Sequence, residues 1–307
     1  MTHASPDTTD ATAAQPGTLA GMIADTTPAL ASIHATQTHR DPWPQWPGDL
    51  NHLPNPLRQS AAIQWAGRAR NEHRSVHQFS ALALAATRAR LPLTVLGGLA
   101  RLVTDEVRHA EVCARMALLC QPEHDPHAMR WPVPTTGWAP APEDPEGNTA
   151  WMAYAVLEAC CFGETLSVPM LKAISTVATE PVARAAAEQI LRDEHLHARF
   201  GWDTLGLLWP RLTEASRASL VAQIPGMIRG FERSCCQDIT PAQVAQNPTV
   251  TIEPGDAATP NLGTLTPMQY AVIFYATMES EILPALRALE IDADACWLAR
   301  LTPDRTR

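Results

Sequence analysis

The chain has 307 residues and a formal net charge of −9, which bound its size and its partners. A chain of this length can bury a full core as one large domain. Its acidic balance provides no basic stripe that could neutralise phosphates, so we expect no nucleic-acid partner. Ala, Leu and Arg recur while there are only 3 Tyr and 5 Phe, and this composition predicts an all-α fold.

The first residues carry no targeting pattern. Residues 1–16 lack the basic and apolar regions of a secretory signal and are predicted to be a disordered tail. No interval reaches the roughly 18 uninterrupted apolar residues that a membrane span requires, so we expect a cytoplasmic protein without a membrane partner. The 7 cysteines include no CxxC pair, which favours reduced thiols over a disulfide framework.

Proline-rich intervals divide the rest of the chain. Residues 17–57 are predicted to be an N-terminal extension, with a loose helix followed by an extended strap over 41–57, where Pro and Trp are too frequent for a helix. Helical periodicity over 58–208 predicts two helical hairpins. Accessory helices are predicted over 209–290 and a second tail over 291–307. The predicted helices of the hairpins cover 58–90, 93–120, 149–178 and 181–208.

Two Glu-x-x-His motifs interrupt the apolar stripes of the second and fourth helices. Glu106 and His109 follow Leu99 and Leu102 in steps of three and four, and Glu194 and His197 continue the same kind of stripe in the fourth helix. Both pairs should therefore point into the core. Because an unpaired buried carboxylate is costly, a cationic group is expected to meet each pair.

The other two helices each supply one inward carboxylate, Glu72 in the first and Glu164 in the third. One Glu from each of two helices and a Glu-x-x-His from each of the other two is the known pattern of dimetal carboxylate bundles. Carboxylate oxygens can bridge two divalent ions while an imidazole binds each ion. Asp105 and Asp193 directly precede the motif glutamates and are predicted to accept the free ring N–H of the ligand histidines. The predicted metal ligands are Glu72, Glu106, His109, Glu164, Glu194 and His197.

Several alternatives compete with this assignment. Glu158 lies on a stripe of its own in the third helix, although the stripe through Glu164 is better continued. Glu72 could instead form a surface salt bridge with a neighbouring arginine, and the two motifs could belong to solvent-exposed, salt-bridged helices. Some histidines lie near the ligands but off the stripes, or in a polar loop, and are predicted not to bind the metals: His73, His77, His195, His124 and His127.

Four segments carry a family resemblance: NEHRSVHQFSALAL, TDEVRHAEVCARM, CCFGETLSVPML and RDEHLHARFGWDTL. They resemble the core helices of bacterial ferritin-like-domain proteins of the diiron carboxylate superfamily, which includes N-oxygenases, aldehyde-deformylating oxygenases, rubrerythrins and ribonucleotide reductase small subunits. The resemblance covers residues 58–208. It implies a ferritin-like four-helix bundle with additional N- and C-terminal helices, and two iron ions held by the six ligands. Mn/Fe and Mn/Mn pairs are the alternatives.

The first functional hypothesis is a non-haem diiron oxygenase or oxidase that activates dioxygen, its co-substrate, to oxidise a small organic substrate. The strap and the closing helices are predicted to enclose that substrate. Such an enzyme requires an electron donor, and a homodimer is one expected assembly. The alternative is an iron oxidase or a peroxide-scavenging ferritin- or rubrerythrin-like protein, and a metal-free helical interaction protein is the third hypothesis.

Overall fold

A computed structural model describes residues 18–23, 27–40, 42–121, 133–256 and 258–302. Within these ranges every regular element is a helix and no strand is present, which confirms the all-α class. The tail predicted for residues 1–16 lies outside the described residues, and so do His124 and His127.

The first hairpin consists of two long uninterrupted helices, α3 (Asn55–Arg88) and α4 (Leu93–Cys120), which pack against each other. The chain turns at Arg90, whose φ of 52° is left-handed, and Pro92 caps the start of α4. Proline restricts the residue before it, here Leu91, to extended conformations. Helix α3 therefore cannot continue through Leu91 into α4. The observed bounds of α4 agree with the predicted interval 93–120.

The second hairpin has a more complex first arm. Its helix begins as α5 (Pro145–Val156), changes to i→i+5 hydrogen bonding in a π segment (Leu157–Glu164), and continues as α6 (Thr165–Val177). The returning arm is α7 (Pro181–Leu208), which contacts the π segment, α6 and α4. The first arm was predicted as one regular helix over 149–178, because apolar periodicity does not report a local change of hydrogen-bonding pattern.

The core of the two hairpins is divided along the helices into two apolar clusters. The Phe79 cluster includes Leu102, Phe162 and Leu205, and the Trp65 cluster includes Met116, Ile174 and Ile190. On each of the four arms the predicted ligands stand between a residue of one cluster and a residue of the other. A buried polar layer therefore separates two apolar halves.

The N-terminal extension packs on the first hairpin. Helices α1 (Leu19–Met22) and α2 (Pro28–Thr38) contact α4. Residues 42–54 contain no helix, as predicted for the strap, and their Leu50 and Leu53 are buried in the Trp65 cluster. The strap thus covers one apolar end of the hairpins.

The C-terminal region adds five α-helices, a short 3-10 helix (Trp209–Arg211) and a second π turn among the described residues. The long helix α8 (Glu214–Cys236) contacts the later helix α10 (Pro267–Thr277). The interval predicted to be a tail from residue 291 contains a helix, α12 (Ala293–Ala299), which Asp292 caps and which packs on α8. Its sequence is too short for periodicity to reveal it. These elements are α8 (Glu214–Cys236), α9 (Pro241–Ala245), α10 (Pro267–Thr277), the π turn Met278–Ile282, α11 (Leu283–Ala288) and α12 (Ala293–Ala299).

The described residues contain neither a helix that could span a membrane nor a disulfide. In the part of the chain that the structure describes, no helix combines the length and the apolar character needed to cross a membrane. All seven cysteines lie in that part, and none forms a disulfide.

Candidate metal centre

The six predicted ligands come together in the polar layer. They form two overlapping groups, and within each group one candidate ligand atom per residue lies within 4.8 Å of the others. Glu106 and Glu194 belong to both groups. The first group adds Glu72 and His109, and the second adds Glu164 and His197. Two neighbouring cation positions that share two carboxylates are the arrangement expected of a carboxylate-bridged dinuclear centre.

Each histidine turns its Nδ1 atom toward both shared carboxylates. Nδ1 of His109 lies 3.3 Å from Oε1 of Glu194 and 3.7 Å from Oε1 of Glu106. Nδ1 of His197 lies 3.0 Å from Oε1 of Glu106 and 3.9 Å from Oε2 of Glu194. The two ring centroids are 5.6 Å apart. The two imidazoles thus approach the same oxygen of Glu106 and different oxygens of Glu194.

The outward ring nitrogens contact the two aspartates in a crossed pattern. Nε2 of His109 in α4 lies 3.1 Å from Oδ2 of Asp193 in α7. Nε2 of His197 in α7 lies 3.4 Å from Oδ2 of Asp105 in α4. An ionised carboxylate can only accept, so in the neutral form of each ring Nε2 carries the proton and Nδ1 keeps its lone pair. This is the tautomer that a metal ligand needs.

Two arginines behind the aspartates were missed by the sequence analysis. Arg108 is fully buried and donates to both Asp105 and Asp193. Arg101 donates to the same two carboxylates, at 2.5 and 3.1 Å. The available signal was Arg108 itself, a permanent charge placed between the predicted ligands Glu106 and His109.

The inward-facing atoms of the centre have no hydrogen-bond partners. Oε1 of Glu106, both carboxylate oxygens of Glu194, and Nδ1 of His109 and His197 are all buried and unpaired. Unsatisfied buried polar atoms are rare in folded proteins and costly when isolated. Here the unpaired atoms face one another, and they are oxygen and nitrogen donors of the type that divalent transition metals bind. The residues therefore fit a pair of metal ions.

The pKa directions of the carboxyl groups show how strongly negative charge is concentrated. Burial, followed by the charges of Glu106 and Glu194, raises the pKa of Glu72 well above its ordinary value. Burial and the charge of Glu194 do the same to the pKa of Glu164. Burial also opposes ionisation of Glu106, but its close contacts with His109 and His197 outweigh burial and lower the pKa of Glu106 to about 2.

The pKa values of the two histidines depend on the carboxylates beside them. Burial lowers the pKa of His109, but contacts with Asp193 and Glu106 outweigh it and raise this pKa well above its usual range. The pKa of His197 is raised in the same way, against burial, by contacts with Asp105 and Glu106. In the folded chain both imidazoles therefore bind a proton more tightly than a free histidine does.

Comparison with known proteins found no matching family model, no match among curated proteins and no match among solved structures. A function can therefore be inferred only from the chemistry of the site itself.

The described residues predicted not to bind the metals lie outside the two ligand groups. His195 and His77 are exposed, and His73 belongs to neither ligand group. Glu158 is also outside both groups, and its Oε2 accepts a hydrogen bond of 2.5 Å from the indole of Trp138. The comparison of apolar stripes that favoured Glu164 over Glu158 assumed a regular α-helix, however, and both residues belong to the π segment.

A cavity of about 560 Å³ opens beside the centre. Its lining includes the ligands Glu72 and Glu164, and also Phe231 of α8 and Tyr270 of α10. None of the described strap residues lines it, so the closing helices form the wall but the strap does not. The predicted enclosure by the strap is therefore wrong for this cavity.

The π segment fits against α7 because of one glycine. A Cβ added to Gly201 would lie 2.6 Å from Cβ of Cys160 and 2.9 Å from its carbonyl carbon. Only a residue without a side chain permits this approach between the backbones. π-helical turns inside α-helices occur frequently at functional sites, and this one ends at Glu164, a candidate ligand.

Proposed function

We propose that the chain is a non-haem diiron oxygenase or oxidase with a ferritin-like four-helix bundle formed by α3, α4, the α5–π–α6 arm and α7. The observation that carries the proposal is the pair of overlapping ligand groups that share Glu106 and Glu194. Four carboxylates would neutralise two divalent ions, and one imidazole would bind each ion. Iron held in this way supplies dioxygen chemistry to such bundles.

The surrounding residues have roles that do not depend on the metal. Asp193 and Asp105 hold the Nε2 protons of the two histidines, which fixes both rings. Hydrogen bonds from Arg108 and Arg101 favour the ionised form of the aspartates. The Phe79 and Trp65 clusters exclude water above and below the polar layer.

The cavity supports an organic substrate rather than iron alone. It reaches the ligands Glu72 and Glu164, so a bound molecule would lie against the open side of the centre. Arg68 lines the cavity, donates to the hydroxyl of Tyr270 at 2.9 Å, and has a buried Nη1 group without a partner. We infer that the substrate offers an oxygen acceptor to this guanidinium, as a carboxylate would.

The test begins with metal content and oxygen reactivity. Purified full-length protein is loaded with Fe²⁺ without oxygen, its iron is counted, and visible spectra are recorded after oxygen is added. Two iron ions per chain and a transient absorption are expected. Because the iron is supplied reduced, one turnover does not require the external electron donor that continuous catalysis would need.

A substrate screen then separates the proposal from its alternative. Small organic acids and their neutral amides are incubated with the reduced iron protein and oxygen, and products are identified by mass spectrometry. Oxidised product that depends on iron, with acids preferred over amides, supports the oxygenase. Consumption of peroxide or Fe²⁺ without any oxidised organic product would instead favour the ferritin- or rubrerythrin-like alternative, and absence of bound metal would overturn both.

A further inference from the structure

A second cluster of metal-binding side chains lies outside the dinuclear centre. His34 in α2 and His39, which directly follows α2, meet Glu111 of α4. Glu111 is five residues beyond Glu106, which turns it away from that ligand by about 140° around the helix. The cluster therefore lies on the opposite side of α4, between the bundle and the N-terminal extension. The proposed oxygen chemistry has no use for it.

The geometry of the three side chains is that of a ligand set. Nε2 of His34 lies 2.8 Å from Oε2 of Glu111, and Nε2 of His39 lies 3.1 Å from the same oxygen. One candidate ligand atom from each residue lies within 4.8 Å of the others. In a tetrahedral zinc site with bonds near 2.0 Å, ligand atoms are about 3.3 Å apart. The observed separations need only small adjustments to admit an ion.

The surroundings hold two of the three ligands in place. The side chain of Glu111 is only 7% exposed. Its other oxygen, Oε1, accepts a hydrogen bond of 2.8 Å from Nε of Arg115. The ring of His39 stacks on Trp43 with centroids 4.1 Å apart. Arg115 therefore pairs with Oε1 and leaves Oε2 to the two imidazoles, and Trp43 stacks on the ring of His39. Partners of this kind orient metal ligands in known sites.

We propose that His34, His39 and Glu111 bind one divalent transition-metal ion, with Zn²⁺ as the best-fitting ion, at a site separate from the dinuclear centre. Two neutral imidazoles and one carboxylate suit zinc, with water in the fourth position on the exposed side of His34. The ion would connect α2 and the start of the strap to α4, across a chain interval of more than seventy residues.

The test counts zinc in variants that keep the surrounding contacts. Metal-free full-length protein is incubated with Zn²⁺, passed through a desalting column and analysed for zinc per chain. His34→Gln and His39→Phe leave the Glu111–Arg115 pair intact, and the phenyl ring preserves the stack on Trp43. Each variant is expected to bind one zinc ion fewer than the wild type. The affinity of the site should fall by more than about 100-fold, because even the partners of ligands contribute about 10–100-fold.

His52→Gln is the matched control, because His52 lies 3.4 Å from a carboxylate, Glu180, but belongs to no potential metal-binding group among the described residues. It should keep the wild-type count. Glu194→Ala should lose zinc from the dinuclear centre and retain the ion at Glu111, which separates this proposal from the proposed function. Equal counts in the wild type, His34→Gln and His39→Phe would overturn it. If either variant fails to fold, a zinc-loaded wild-type crystal without anomalous density between the three side chains would overturn it as well.

Discussion

The two hairpins carry the same set of candidate ligands on different backbones. In the first, Glu72 and the Glu106–His109 pair stand on uninterrupted α-helices. In the second, Glu164 ends a π segment, and the facing helix contributes the Glu194–His197 pair. A matching set of side chains is thus reached by regular periodicity on one side and by a local change of helix type on the other.

The difference shows where the geometry of the centre is imposed. Regular helices place ligands by spacing alone, so the first hairpin needs no special residue. In the second hairpin the wider π turn is accommodated because Gly201 lets α7 approach Cys160 and Cys161. The second hairpin should therefore be the more sensitive to substitutions that do not touch a ligand.

The largest expected effect is the loss of metal when a ligand is replaced by alanine. Loss of a shared ligand should affect both ions. Glu106→Ala and Glu194→Ala each remove a carboxylate that belongs to both groups, so both ions should be lost. His109→Ala and His197→Ala should also lower the iron content severely, because each removes the only imidazole of its group. Elemental analysis of iron-loaded protein, as iron per chain, is the measurement.

The controls for this experiment are His73→Ala and His195→Ala, which lie outside both groups. Both variants should keep the wild-type iron content. If His195→Ala empties the centre while His197→Ala leaves it full, the helix register that underlies the whole assignment is wrong.

The next prediction compares the two glutamates of the π segment. Glu164→Gln removes an anionic ligand and should abolish the oxygen reaction. Glu158→Gln should leave most of the iron and the activity, because Glu158 pairs with Trp138 and stands outside both ligand groups. Stopped-flow spectra after oxygen addition measure both. A normal reaction in Glu164→Gln together with a lost one in Glu158→Gln would reverse the assignment.

The sequence predicted those features that depend on regular helix. The stripes through Leu102, Glu106 and His109 required only α-helical periodicity, and these residues are buried as expected. The pairing of Arg108 with Asp105 three residues earlier can be read from the sequence, but its contact with Asp193 in another helix cannot, because no local pattern reports such a contact. The cluster of His34 with Glu111 was missed for the same reason. The π segment was hidden because its apolar positions still match an α-helical stripe.

Alanine substitutions at the two glycines of α7 test whether the close approach of α7 to the π segment constrains the fold. They are expected to change the free energy of unfolding in opposite directions. Gly201→Ala should lower the free energy of unfolding by about 1–3 kcal/mol, the usual cost of overpacking, because the added methyl group meets Cys160. A Cβ added at Gly206 has nothing within 4 Å. Gly206→Ala should therefore raise the free energy of unfolding by about 0.5–1 kcal/mol, since alanine favours helix. Denaturant unfolding followed by circular dichroism measures both. Equal effects of the two substitutions would show that the close approach at Gly201 does not constrain the fold.

The smallest expected effect is the pH dependence of the metal-free protein, to which each hairpin contributes one carboxyl and one imidazole. Burial and neighbouring charge raise the pKa of Glu72 and Glu164 above the ordinary 4.5, and carboxylate contacts raise those of His109 and His197 above 6.5.

Above pH 6.5 the folded chain therefore retains protons that the unfolded chain has released, so stability must fall as pH rises, by at most about 1.4 kcal/mol per pH unit for each retained proton. The melting temperature of metal-free protein should decrease from pH 6.5 to 8.5. The iron-loaded protein should not follow it, because metal binding requires the deprotonated ligands. If the hairpins are equivalent, Glu72→Gln and Glu164→Gln should flatten the metal-free profile equally. A metal-free melting temperature that stays constant or rises over this range would contradict the crowding of charge in the centre.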